Sequence, residues 1–192
     1  MTPTCSQDLH IHTVFSTGDS AIVKQQTIDL IAFVRHAQII GISDHFEYID
    51  GDLFDIYRKT VLARGLKLGT EVAGGEYAKE AAAYPFEYYI YHCPDERKHY
   101  RGFEKLLETG KPAVIAHPMA MGTDFRKLPE DCLVEINNRY IWRGDWRKEY
   151  TPFLQKFRFI LSSDAHQPNW LNQNVARYVA AELGVTETLL FT

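Results

Sequence analysis

Seven short apolar runs punctuate this chain, and each carries a histidine, aspartate or glutamate at or near its end: LHIH, IIGISDH, LKLGTEV, YYIYH, AVIAHP, LVEINN and FILSSDAH. The runs have strand character, and helical patterns lie between several of them. SAIVKQQTIDLIAFVRHA places Ile22, Val23, Leu30, Ile31 and Val34 at helix-like intervals. LFDIYRKTVLARG stops at Gly65, GFEKLLETGKP at Gly110 with Pro112 just beyond, and NWLNQNVARYVAAELG at Gly184; glycine past the last turn is a helix stop. Strands alternating with helices dictate a mostly parallel α/β sheet, and closure of seven strands into a barrel is the expected arrangement.

Parallel barrel strands present their C-terminal ends to one face, where the active sites of such barrels sit. His10, His12, Asp44, His45, Glu71, His92, His117, Glu135, Asn137, Asp164 and His166 would converge there. Six of the eight histidines fall at strand ends; His36 and His99 do not. His36, read as helical beside Arg35, and His99, read in a charged loop after Lys98, are therefore not taken as ligands. In DLHIHT, His10 and His12 are two apart, so on a strand both point to one side and can grip one ion. A lone histidine or an SDH turn has blander explanations, such as partial burial or helix capping. Repetition at every strand end does not: buried together without cations these groups would repel or stay unsatisfied.

Composition narrows the class. The 192 residues are 45% hydrophobic, enough for one core, and no linker or repeat divides residues 1–192, so a single domain is expected. The net charge of −4, with no basic stripe, argues against an extended nucleic-acid surface. No apolar stretch is long enough for a membrane span, and no signal-type apolar region opens the chain. Cys5, Cys93 and Cys132, without a CxxC pair, read as reduced thiols of a cytoplasmic protein, Cys93 and Cys132 as small core residues.

The ordered set DLHIHT, SDH, GTEV, YHCP, AHP, EINN and SSDAH resembles the motifs of the PHP (polymerase and histidinol phosphatase) superfamily, in particular its small stand-alone phosphoesterases. The resemblance runs from about Asp8 to His166. It implies a distorted, TIM-like (β/α)7 barrel with a trinuclear metal site. Carried over, His10, His12, Glu71 and Asp164 match the first metal's ligands. Glu71 also bridges to a second, completed by His92 and His117. His45 and His166 match two ligands of a third. Its remaining ligand falls in HTVFSTGDS, where some relatives carry histidine at the position of Gly18 and others an aspartate, here Asp19. The competing reading of Asp19 is a cap on a helix starting near Ala21. Tyr91 and Cys93 beside His92 are bulkier than the resemblance leads one to expect, which would narrow the pocket. Asp44 is expected to orient a neighbouring histidine ring.

Mixed imidazole and carboxylate donors suit zinc, manganese or iron. Clustered divalent ions acidify a bound water and clamp phosphate oxygens, so no serine or cysteine nucleophile is needed. Glu71, Asp164 and His166 would stand at the reacting centre, and Arg139 and Arg143, just past EINN, are candidates to hold a phosphate. The expected activity is metal-dependent hydrolysis of a small phosphorylated metabolite, a phosphomonoester or phosphodiester. Hydrolysis of a non-phosphate bond and a non-catalytic binding module are the alternatives.

Overall fold

The computed structural model describes residues 3–191. Among them seven strands alternate with helices: β1 (Cys5–Asp8), α1 (Ile28–Val34), β2 (Ala37–Ile42), α2 (Phe46–Ile49), α3 (Asp52–Ala63), β3 (Lys67–Val72), α4 (Gly75–Ala81), β4 (Tyr88–Tyr91), α5 (Arg97–Leu107), β5 (Ala113–Ile115), α6 (Pro118–Met121), β6 (Leu133–Asn137), α7 (Trp146–Tyr150), β7 (Arg158–Ser162) and α8 (Asn174–Leu183). The strands pair in parallel in chain order, β1 through β7. No ladder joins β7 to β1, yet the ring nearly closes. Ile11 bridges Ala165, the His12 amide donates to the Ala165 carbonyl at 3.0 Å, and the Ser163 amide donates to Asp8 Oδ1 at 3.0 Å. This is the distorted TIM-like (β/α)7 barrel expected. No helix among the described residues is long and apolar enough to cross a membrane.

Strand alternation sorts side chains into two cores. Leu9, Tyr88, Ile90, Val114, Ala116, Leu133 and Ile160 fill the barrel, while Ile40, Ile42, Leu68, Tyr91, Ile115 and Leu161 pack outward against the helices. The helices answer at helical spacing: α3 buries Phe54, Tyr57 and Val61, and α8 buries Ala176, Val179 and Ala180. Residues 187–191 close the far end of the barrel. Glu187 bridges Phe159, Gln7 Nε2 donates to the Thr188 carbonyl at 2.6 Å, and the Phe191 ring lies 5.9 Å from that of Tyr88.

Two sequence expectations change. The helix read over residues 20–37 is confined to Ile28–Val34. Thr27 caps it, its hydroxyl accepting from the Leu30 amide at 3.2 Å. The preceding segment is a loop because the buried Gln26 is committed elsewhere: its Nε2 donates to the carbonyls of His12 at 3.1 Å and Ala165 at 3.3 Å. His36 and His99 are also placed differently, though both lie outside the site. His36 follows α1 and is buried with Nε2 2.8 Å from Asp8 Oδ2. His99 lies on α5, buried, accepting from the Gly75 amide at 3.0 Å.

Tyr88 is the largest side chain inside the barrel, its hydroxyl donating to the Leu9 carbonyl at 2.7 Å. Room for its ring comes from Gly41 and Gly69, where an added Cβ would fall 2.3 and 2.2 Å from Tyr88 atoms. Gly69→Ala should therefore destabilise the protein by about 1–3 kcal/mol through overpacking. Placed on Tyr88→Leu, the same substitution should cost much less. Urea unfolding of the two single variants and the double tests this, and additive losses would refute the steric account.

Candidate metal centre

The barrel's inward register explains most of the site. Continuing period two from the interior positions of β2, β3, β4, β6 and β7 brings in His45, Glu71, His92, Glu135 with Asn137, and Asp164 with His166. Two positions break it. Leu9 faces inward, so His10 and His12 would face out on an unbroken strand. The β1 ladder ends at Asp8, and the chain runs on irregularly, with Ile11 outward and both imidazoles inward. Ala116 also faces inward, and His117 follows it into the cluster through a left-handed turn with φ +24°. Asp164 has φ +52°. Such backbone costs about 1–3 kcal/mol per non-glycine residue, and both residues lie in the cluster.

Glu71 is the centre. Its Oε1 lies 3.1 Å from His10 Nε2, 2.6 Å from His92 Nε2 and 3.3 Å from His117 Nε2. Its Oε2 lies 3.3 Å from His12 Nε2 and 3.1 Å from His45 Nδ1. The carboxylate thus presents one oxygen to each of two sets of imidazoles. Asp164 Oδ1 stands 3.7 Å from both His10 Nε2 and His12 Nε2 and 3.2 Å from His166 Nδ1. Asp19 Oδ2 lies 2.8 Å from His166 Nε2 and 3.6 Å from His45 Nε2.

Ring nitrogens face one another: His10 Nε2 and His12 Nε2 at 3.0 Å, His92 Nε2 and His117 Nε2 at 3.2 Å. Donors about 2.0–2.2 Å from one ion stand roughly 3–3.5 Å apart. Meanwhile Glu71 Oε1, His12 Nδ1, His45 Nδ1 and His117 Nδ1 are buried and make no hydrogen bond among the described residues. Three sets of donors lie close enough to share a cation: His10, Glu71 and His117; His10, His12 and Asp164; His12, His45 and His166, with the atoms of each set within 4.8 Å of one another. The buried cluster could hold divalent cations. The sets draw on residues of the three inferred by resemblance but divide them differently: His10 stands in place of His92 beside Glu71 and His117, Glu71 is absent from the His10, His12 and Asp164 group, and His12 takes the place of Asp19 with His45 and His166. His12 also stacks against the third group, its ring centroid 4.5 Å from that of His45 and 4.2 Å from that of His166.

Burial and charge compete across the cluster. Burial alone would raise the Glu71 carboxyl, but His92, His10 and His45 hold it well below the carboxylate range. Burial likewise works to lower the imidazoles. Neighbouring carboxylates overcome it at His10 and His117, and at His45, which rises to about 9. At His12 burial and the adjacent His166 and His45 win, and its pKa falls well below normal.

Glu135, to which the sequence assigned no role, orients the cluster. It is fully buried, with Oε1 2.7 Å from His10 Nδ1; the Ser162 hydroxyl donates to the same oxygen. Its Oε2 accepts from the His117 amide at 2.7 Å and from Asn137 Nδ2 at 2.9 Å. Burial would raise this carboxyl; His10 and the hydrogen bonds bring it down to about 2. Asn137 Nδ2 also reaches Asp164 Oδ2 at 3.1 Å. Asp44 does not orient a ring. It is buried and accepts from the Thr13 amide and hydroxyl, both at 2.6 Å, and from the Ser16 hydroxyl at 2.7 Å, fixing the loop after His12. Nor do Tyr91 and Cys93 narrow the pocket. Both face outward, the Tyr91 hydroxyl donating to the His99 carbonyl at 2.7 Å.

Asp19 combines two contacts. Oδ1 accepts from the Ala21 amide at 2.7 Å, leaving Oδ2 for His166. No helix begins at Ala21, so Asp19 braces a turn and is not a helix cap. Of the two arginines, only Arg139 meets the cluster. Its Nη1 lies 3.0 and 3.1 Å from the two ring nitrogens of His166 and 3.6 Å from Asp164 Oδ1. Arg143 lies outside, stacked 4.5 Å from the centroid of Tyr140, whose own ring is 4.7 Å from that of His117.

No family model matches the chain, and no curated protein matches it. The fold and cluster together are those of a TIM-like barrel compatible with a metalloenzyme.

Replacing a carboxylate that orients a metal-binding histidine typically costs about 10–100-fold in metal affinity. Glu135→Gln should show that loss in a competitive chelator titration while the folded protein persists, and unchanged affinity would remove Glu135 from the site. Asp19→Ser keeps a side chain able to brace the turn but makes a poor ligand. It should lower the metal content measured by elemental analysis by one ion per chain relative to the unaltered protein. A full complement in the variant would leave Asp19 with the turn alone.

Proposed function

We propose that this chain is a metal-dependent phosphoesterase of the PHP superfamily, acting on a small phosphorylated metabolite with two or three zinc, manganese or iron ions. The observation that carries the reading is the Glu71 carboxylate, buried between two sets of imidazoles whose nitrogens face it and one another. Cations between those atoms turn repelling lone pairs into ligands. The order of the motifs along the chain, DLHIHT through SSDAH, supports the superfamily reading.

His10, His12, Glu71 and Asp164 would hold one ion, Glu71, His92 and His117 a second, and Asp19, His45 and His166 a third. When bound, such ions supply an acidified water and neutralise charge on ester oxygens. The chain's own residues do the rest. Glu71 keeps two ion sites in fixed relation. Glu135 sets the tautomer of His10 by engaging Nδ1, leaving Nε2 free to ligate. Arg139, its guanidinium at the rim beside Asp164 and His166 and 5.2 Å from the Trp170 centroid, offers N–H donors to phosphate oxygens.

Purified protein loaded with zinc, manganese or iron should release inorganic phosphate from small phosphomonoesters, lose the activity to a chelator and regain it on reloading. Glu71→Ala should lower turnover by several orders of magnitude and reduce metal content more than His166→Ala, because Glu71 serves two sites. Turnover confined to lactones or amides would reject the phosphoester assignment, and near-normal turnover of Glu71→Ala would remove Glu71 from the centre.

A further inference from the structure

A cavity of about 300 Å³ opens beside the cluster, with Arg139, Arg143, Trp142, Trp170, Asn138 and Asn172 in its wall. That volume is at the small end of ligand sites, which run roughly 300–1,000 Å³. Among the described residues no carboxylate lines it. Arg139 forms the side nearest the ions' ligands, as its contacts with His166 and Asp164 show. Arg143 is different: among the described residues its guanidinium forms no ion pair and no hydrogen bond. It is held by stacking alone, 4.5 Å from the Tyr140 centroid and 5.4 Å from that of Trp142. Stacking occupies the guanidinium faces and leaves its N–H edges free. Through Tyr140, Arg143 lies within about 9 Å of the His117 ring. Asn138 spends its side-chain oxygen on the α8 amides of Val175 and Ala176, at 2.8 and 3.1 Å, so only its donor end is free.

A second cavity, of about 570 Å³, also touches Tyr140 and Arg143, but Asp145 and Glu149 line it. An anionic group is disfavoured there and favoured in the smaller one.

We propose that the smaller cavity receives the non-reacting end of the substrate, and that this end carries a second anionic oxygen group held by Arg143. The inference rests on the phosphoesterase reading and extends it. The substrate class becomes phosphate esters with a carboxylate or a second phosphate a few bonds away. Arg139 faces the reacting phosphate and Arg143 the distal anion, so the tightest binding uses both.

Three probes of five carbons each test this by calorimetry on the metal-loaded protein: pentylphosphonate, phosphonopentanoate and pentane diphosphonate. The two probes with an anionic tail should bind roughly ten- to a hundredfold more tightly than pentylphosphonate, the range of a charge-assisted hydrogen bond. The tighter of the two identifies the tail as carboxylate or phosphate. In Arg143→Gln the tail preference should collapse toward one, and in Arg143→Lys it should be partly kept. Equal binding of all three probes to the unaltered protein, or an unchanged preference in Arg143→Gln, overturns the inference and leaves the phosphoesterase reading standing. If none of the three binds, the phosphoesterase reading fails, and the inference with it.

Discussion

Everything at the cluster end of this barrel is organised around one electrostatic problem: a carboxylate and its imidazoles brought out of water with their lone pairs turned toward each other. Glu71 and His10 are 1% and 0% exposed, so solvent cannot separate the charges. Hydrogen bonding between the rings is an incomplete remedy, because each proton shared along one contact is denied to another. Cations bound among these atoms would resolve all the contacts together. The layers around the cluster serve that arrangement. Glu135 and Asn137 lock the ligands from below, Asp44 locks the loop that follows His12, and Asp8 fixes the β1–β7 seam from outside while engaging His36.

The distortion of the barrel follows from the same need. A regular strand offers inward positions two residues apart, and apolar residues already take the interior register next to His10 and His117. The chain resolves the conflict by abandoning the ladder after Asp8 and by a left-handed turn at His117. Among the described residues the seam between the first and last strands has no ladder, only the bridge of Ile11 to Ala165 and single hydrogen bonds such as that of the Ser163 amide to Asp8. The irregular backbone that admits the ligands and the incomplete closure of the ring lie at the same place.

Much of this could be read from the residues. Histidine and carboxylate at successive strand ends placed most of the cluster, because period two and parallel pairing bring His45, Glu71, His92, Glu135, Asp164 and His166 to one face; His10, His12 and His117 reach it only through irregular backbone. Gly65, Gly110 and Gly184 marked helix ends for a local reason, the left-handed backbone each adopts. What could not be read depended on partners distant in sequence. Gln26 turned an amphipathic segment into loop through bonds to residues 12 and 165. Asp44 found hydroxyls where a ring was expected. The outward direction of Tyr91 was available from Tyr88 and Ile90, whose register fixes it, but the bulk of Tyr91 and Cys93 beside His92 suggested otherwise. Glu135 shared its register with Leu133 and Asn137, so its inward direction was legible; its grip on His10, 125 positions away, was not.

The segment that closes the far end of the barrel sets an order of events during synthesis. Gln7 lies in the first strand, fully buried, and its side chain is satisfied by Thr188 and by the Leu190 amide, which donates to Gln7 Oε1 at 3.0 Å. Those partners leave the ribosome more than 180 residues after Gln7. Until then the barrel floor leaves the Gln7 side-chain amide without its partners and the Tyr88 ring uncovered on one side. A nascent chain holding all seven strands is therefore still open at its base until residues 187–191 have emerged.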